Sequence, residues 1–261
     1  MNAEKQEMLS KVPAITLGFW IIKILATTLG ETGGDAVTMS WLGETTAAAK
    51  GTGYLVGTAI FGIIFLAAVL VQIKAKKFHP FIYWTTIVAT TTVGTTMADY
   101  VDRSLGVGYP GGTSILFTLL MASLFVWYRT LGTVAMDSVS STKSEAFYWV
   151  TIMFSQTLGT ALGDWTADTA GLGYTGGALV FSAMLAIVAA MYYWTKISHT
   201  VLFWAAFILT RPLGAVVGDF LDKPHAKGGL ELSRYTASAS MLVLIAMLIL
   251  VLPHKAAQKQ H

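Results

Sequence analysis

Apolar runs of membrane-spanning length alternate with short polar connectors along the whole chain. About 20 helical residues cross a hydrocarbon core of ~30 Å. Eight runs meet that length, near residues 13–35, 52–73, 80–100, 112–133, 145–166, 175–195, 199–221 and 234–253. The odd-numbered runs carry a polar thread: YWTTIVATTTVGTTMADY, from Tyr83 to Tyr100, holds seven threonines and reaches a carboxylate at Asp99. The pattern predicts an all-α integral membrane protein, with eight transmembrane helices in a single membrane domain over residues 1–261.

Composition agrees. The chain is 54% hydrophobic and 12% charged, about half the charged fraction of a soluble domain. It has no cysteine, which excludes disulfides and thiolate ligands and leaves oxygen or imidazole for any metal. The five histidines fall in loops or at helix ends without i, i+4 pairing, against a zinc site. No Ser-His-Asp order, nucleotide loop or haem ligand pair occurs, so neither an enzyme nor a cofactor is expected, a bound divalent cation aside. The polar start, MNAEKQEMLSKV, leads into an apolar run with no small-residue cleavage site, so no removable signal peptide is expected.

The net charge of +3 is a topology signal and no argument for nucleic acid. Ten Lys and Arg fall on the N-terminal side of the membrane: Lys5, Lys11, Lys74, Lys76, Lys77, Arg129, Lys143, Lys196, Lys255 and Lys259. Five fall on the other: Lys50, Arg103, Lys223, Lys227 and Arg234. The positive-inside rule then puts both termini in the cytoplasm. The partners expected are the lipid bilayer and a small cation, and a homo-oligomer stays open.

Self-similarity organises the chain. From the aromatic-Trp pairs at Trp20, Trp84, Trp149 and Trp204, the spacing Trp-x9-Gly-x4-Asp recurs four times without a gap. It gives Gly30, Gly94, Gly159 and Gly214, then Asp35, Asp99, Asp164 and Asp219. A second signature opens each even-numbered run: TGYLVG at Tyr54, GVGYPGG at Tyr109, GLGYTGG at Tyr174 and a degenerate SRYTAS at Tyr235. The unit reads as a two-helix hairpin, with repeats near 11–77, 78–142, 143–197 and 198–255. Two crossings per unit make the four parallel repeats, related by an axis along the membrane normal. Each Trp is expected at the cytoplasmic interface, with its Asp roughly 22 Å further along the helix.

The motifs KVPAITLGFWIIKILATTLGETGGD, YWTTIVATTTVGTTMADYVD, YWVTIMFSQTLGTALGDWTAD and FWAAFILTRPLGAVVGDFLD resemble a family of bacterial inner-membrane proteins. That family is built from four tandem two-helix repeats of unknown function, and the resemblance covers residues 11–255. The last copy departs, with Arg211 and Pro212 where the others have Thr or Gln. The resemblance implies the fold and a location in the bacterial inner membrane; it implies no activity.

Offsets of 3, 7, 11 and 15 from each Trp share a helix face. Repeat one has Lys23, Thr27, Glu31 and Asp35 there; repeat two Ile87, Thr91, Thr95 and Asp99. Repeat three has Ile152, Gln156, Thr160 and Asp164; repeat four Phe207, Arg211, Ala215 and Asp219. A charged group at a helix centre costs roughly 2.5–3.5 kcal/mol against lipid, so the four stripes must face one another or a wet cavity. Capping or loop ordering is the plainer reading of the aspartates, at helix ends where a negative charge opposes the helix dipole. Glu31, Asp35, Asp99, Asp164 and Asp219 against Lys23 and Arg211 leave three negative charges, which invites a cation; oxygen ligands suit Mg²⁺, Mn²⁺ or Ca²⁺. Lys23 and Arg211 read as charge-compensating or gating residues paired with a neighbouring repeat's acid, Lys23 also being near enough to the cytoplasmic face to snorkel. Thr27, Thr91, Thr95, Gln156 and Thr160 read as polar lining, and the four Trp as interface or cavity-wall aromatics. The function expected is a small transporter, exporter or channel-like, for a divalent cation such as Mn²⁺ or Mg²⁺, the acids serving as ligands or proton carriers. The alternatives are a non-transporting membrane sensor or scaffold, and a proton-coupled carrier for a small organic cation.

Overall fold

A computed structural model describes residues 10–46, 49 and 51–257; Lys5, Lys50 and Lys259 lie outside them. Among the described residues there are eight long α-helices: α1 (Leu17–Asp35), α2 (Thr52–Lys74), α3 (Pro80–Asp99), α4 (Tyr109–Leu131), α5 (Thr142–Asp164), α6 (Gly173–Trp194), α7 (His199–Asp222) and α8 (Arg234–Val251). Local chemistry sets several starts. Thr16 accepts from the Phe19 N–H at 3.2 Å, Pro80 opens α3 where its missing N–H costs nothing, and Ser141 and Ser144 form a reciprocal cap on α5. Pro13 and Ala256 form a single antiparallel bridge, so the two ends of the described chain meet at one end of the molecule.

The odd-numbered helices form a closed inner ring, α1 against α3, α3 against α5, α5 against α7, and α7 back against α1. The even helices stand outside, and the predicted hairpin unit needs correcting. Each outer helix packs chiefly on the inner helix of the following repeat: α2 on α3, α4 on α5, α6 on α7, and α8 on α1. Each repeat thus presents one surface to its predecessor and another to its successor, and such a head-to-tail contact closes into a ring when the rotation per unit allows it.

Hydropathy separates the two layers. Among the described residues five helices are long and apolar enough to cross a membrane: α2, α4, α6, α7 and α8. The four outer ones are only 11–17% buried over their apolar windows, against 72% for α7. Apolar helices with that much bare surface, around a ring that carries the polar residues, fit a membrane protein.

The repeated glycines register the ring. A Cβ on Gly30 would strike Thr91, one on Gly94 would meet Gln156, one on Gly159 would strike Arg211, and one on Gly214 would strike Thr27. The residue at offset 7 of each repeat therefore seats on the motif glycine of the preceding repeat, and the last seat closes on the first. One turn further the rule recurs, with Thr95 on Gly34, Ala215 on Gly163 and Glu31 on Gly218. Glycine is needed here because helix backbones approach closely around a knob.

Candidate functional site

Every residue at offsets 3, 7, 11 and 15 is no more than 3% exposed, so the four stripes face the axis of the ring. At the Trp end the axis is sealed. Each repeat's leading aromatic packs on the Trp of the next repeat: Phe19 on Trp84 (centroids 5.4 Å apart), Tyr83 on Trp149 (5.9 Å), Tyr148 on Trp204 (6.4 Å) and Phe203 on Trp20 (5.8 Å). The Tyr83 and Tyr148 hydroxyls meet at 2.6 Å. Trp84, Trp149 and Trp204 are buried and Trp20 half-buried, because the leading aromatics supply edges and faces for the rings to pack on. Ile87, Ile152 and Phe207 add an apolar layer just above.

Lys23 belongs to that layer and, among the described residues, pairs with no acid; its buried ammonium does not snorkel. It is fully buried, its Nζ lies 4.2 Å from the centroid of the Phe207 ring, and it has no hydrogen-bond acceptor among the described residues. Above it, Thr27 donates to Ile24 O at 2.8 Å, while the Thr91 hydroxyl and both ends of the Gln156 amide lack partners among the described residues. Arg211 occupies the centre. Its Nη2 donates to Glu31 Oε2 at 3.0 Å, to Thr95 Oγ1 at 2.6 Å and to Thr160 Oγ1, leaving Nε and Nη1 without acceptors among the described residues. Breaking such a buried pair from one side typically costs about 3–5 kcal/mol.

The aspartates are not at helix ends. In three repeats the helix continues past Asp as a π-helical turn, over Ala36–Trp41, Tyr100–Ser104 and Trp165–Thr169, while α7 runs on to Asp222. Single π turns in α-helices are frequent at functional sites. Among the described residues none of the four aspartates accepts a backbone N–H, which removes the capping account. They bond instead to two cations that a count of intramembrane charges omits. Arg103 joins Asp99 (3.0 Å) to Asp164 (3.1 Å), and Lys223 joins Asp219 (2.9 Å) to Asp35. Five carboxylates therefore face four cations, and the expected excess of three negative charges falls to one. Burial works against the Lys223 ammonium, yet Asp219, Asp35 and Asp222 hold its pKa well above the usual lysine value.

Ligand atoms of Glu31, Asp164 and Asp219, from three different repeats, lie within 4.8 Å of one another, and those of Asp35, Asp219 and Asp222 do the same. Asp99 belongs to neither cluster. Above them is a cavity of about 780 Å³, lined by Arg103, Asp219, Asp222, Lys223 and all four signature tyrosines, Tyr54, Tyr109, Tyr174 and Tyr235. The sequence displays those tyrosines without saying where they go. The signal for Arg103 and Lys223 was also present, since both stand 19 residues after a Trp and four after an Asp.

The architecture is a cyclic array of four two-helix units around a buried polar axis. The model for the Repeat of Unknown Function (DUF347) matches residues 18–78, 82–137, 147–198 and 202–254, and the chain belongs to that repeat family. Comparison with curated proteins and with solved structures gave no match.

Proposed function

We propose that the protein is a transporter of the bacterial inner membrane, crossing it eight times with both termini in the cytoplasm, and that its cargo is a divalent cation such as Mn²⁺ or Mg²⁺. The observation that carries this reading is the meeting of Glu31, Asp164 and Asp219 within 4.8 Å, the last of which also lines the open cavity. Three carboxylates from three elements supply hard oxygen ligands, and Mg²⁺ or Mn²⁺ completes its shell with water. In this orientation the cavity opens away from the cytoplasm while the aromatic ring closes the cytoplasmic end, as alternating access requires of one of its end states. The Gln156 amide, the Thr91 hydroxyl and the Arg211 Nε and Nη1, without partners among the described residues, continue the polar column inward.

A small organic cation is the second reading. A cavity of about 780 Å³ is the size of sites for small organic molecules, and tyrosine faces beside carboxylates suit an ammonium or guanidinium. Binding to purified protein separates the two. Mn²⁺ should bind the wild type, and Glu31→Gln, Asp164→Asn and Asp219→Asn should each weaken it at least tenfold. Tetramethylammonium binding with no Mn²⁺ binding selects the organic cargo, and binding of neither leaves the sensor or scaffold.

A further inference from the structure

Nineteen residues after the repeat Trp stand Met39, Arg103, Asp168 and Lys223. Only repeats two and four place a cation there, and each cation acts alike: it bonds the aspartate of its own repeat and that of the following one. The fourfold ring thus becomes two-plus-two at its acid end. Arg103 is held as a bound guanidinium would be, with Nε 3.1 Å from the Tyr109 hydroxyl, Nη1 3.3 Å from the Tyr54 hydroxyl, and its central carbon 5.9 Å from the Tyr54 ring centroid. Lys223 adds a 3.5 Å contact to Met39 Sδ.

Two further observations bear on these places. Asp99 Oδ2, Asp164 Oδ1 and Asp35 Oδ1 are buried carboxylate oxygens without hydrogen-bond partners among the described residues, on residues no more than 3% exposed. The two cations also differ in kind from Arg211: they line the open cavity, and the Arg103 side chain keeps 29% of its surface exposed where Arg211 keeps none. Arg103 has the open cavity beside it, whereas Arg211 is enclosed on its seat at Gly159.

We propose that Arg103 and Lys223 are tethered counter-ions, holding from within the chain the two places where a cationic cargo binds, so that cargo reaches the buried carboxylates by displacing them. This rests on the transport reading and names its regulation. Each tether is a competitor at high effective concentration, which neutralises the acids when no cargo is bound and weakens cargo affinity so that cargo can leave.

The test is complementation in purified full-length protein. Arg103→Ala empties a guanidinium-shaped place, so about 20 mM guanidinium should raise its unfolding temperature by several degrees over NaCl at equal ionic strength, with no such effect on wild type. Methylammonium should do the same for Lys223→Ala. Arg103→Met, the residue repeat one carries there, should bind Mn²⁺ at least about tenfold more tightly than wild type. Rescue by guanidinium without Mn²⁺ binding in any form keeps the tethered cations and removes the metal as cargo. No response of either alanine variant to its small cation overturns the proposal, as does unchanged Mn²⁺ affinity in Arg103→Met of a wild type that binds it. Should Arg103→Ala fail to fold, Lys223→Ala and Arg103→Lys carry the test, the latter tightening Mn²⁺ less than Arg103→Met.

Discussion

The two ends of the ring obey different symmetries. At the aromatic end one contact occurs four times, leading aromatic on the next Trp, with centroids 5.4–6.4 Å apart. At the acid end four equivalent aspartates are divided between two cations, and the single Glu31–Arg211 pair breaks the pattern again. Repetition suffices for holding four units together; departures from it concentrate where charge is buried. A packing contact is served equally well by four copies, whereas a buried carboxylate needs a cation placed against it.

The sharpest way to break this contrast is at the centre of the ring. Glu31→Ala should destabilise by about 3–5 kcal/mol, because Arg211 is left buried without its carboxylate. Glu31→Ala with Arg211→Met should recover most of that loss in a double-mutant cycle read by denaturant unfolding. Next in size is the aromatic end: Trp84→Ala and Trp149→Ala should cost similar amounts, about 3–5 kcal/mol each, since the two rings have the same partners in successive repeats. Unequal costs would show that the fourfold rule is only geometric.

The smallest effect concerns Asp102. Burial pushes its carboxyl up to about 6 from an ordinary 3.8, against the pull of Arg103. Both its oxygens lack partners among the described residues, and they lie against Gly112. A carboxyl whose pKa is raised on folding weakens the fold as pH rises from about 4 through about 6. Asp102→Asn should therefore stabilise by roughly 1–3 kcal/mol at pH 8 and lose that advantage below about pH 4, as thermal unfolding at the two pH values will show.

Much of this was legible in the residues. The eight apolar runs match the eight helices to within a few residues, and Trp-x9-Gly-x4-Asp sets the register of the ring. Three things were not legible. Hydropathy gives crossings but not neighbours, so the packing of α2 on α3 rather than α1 depends on cyclic closure, which no local pattern encodes. An aromatic near a helix end reads the same whether it faces lipid or its neighbours, so the packing of Trp84, Trp149 and Trp204 on one another's repeats was hidden. Arg103 and Lys223 fall beyond the apolar spans, where a charge reads as solvated; the π turn after Asp99 continues the helix and returns Arg103 to the aspartate's face. Counting charges only inside the spans therefore left the acids unpaired.

On the proposed function, the acid end carries the cargo while the aromatic end only seals. Mn²⁺ uptake into proteoliposomes tests it most directly, comparing wild type with Asp219→Asn and with Trp149→Phe, a change that keeps an aromatic in the seal. The account predicts wild-type flux above that of empty liposomes, a loss of at least tenfold in Asp219→Asn, and flux within about twofold of wild type in Trp149→Phe. Equal flux in wild type and Asp219→Asn would contradict it.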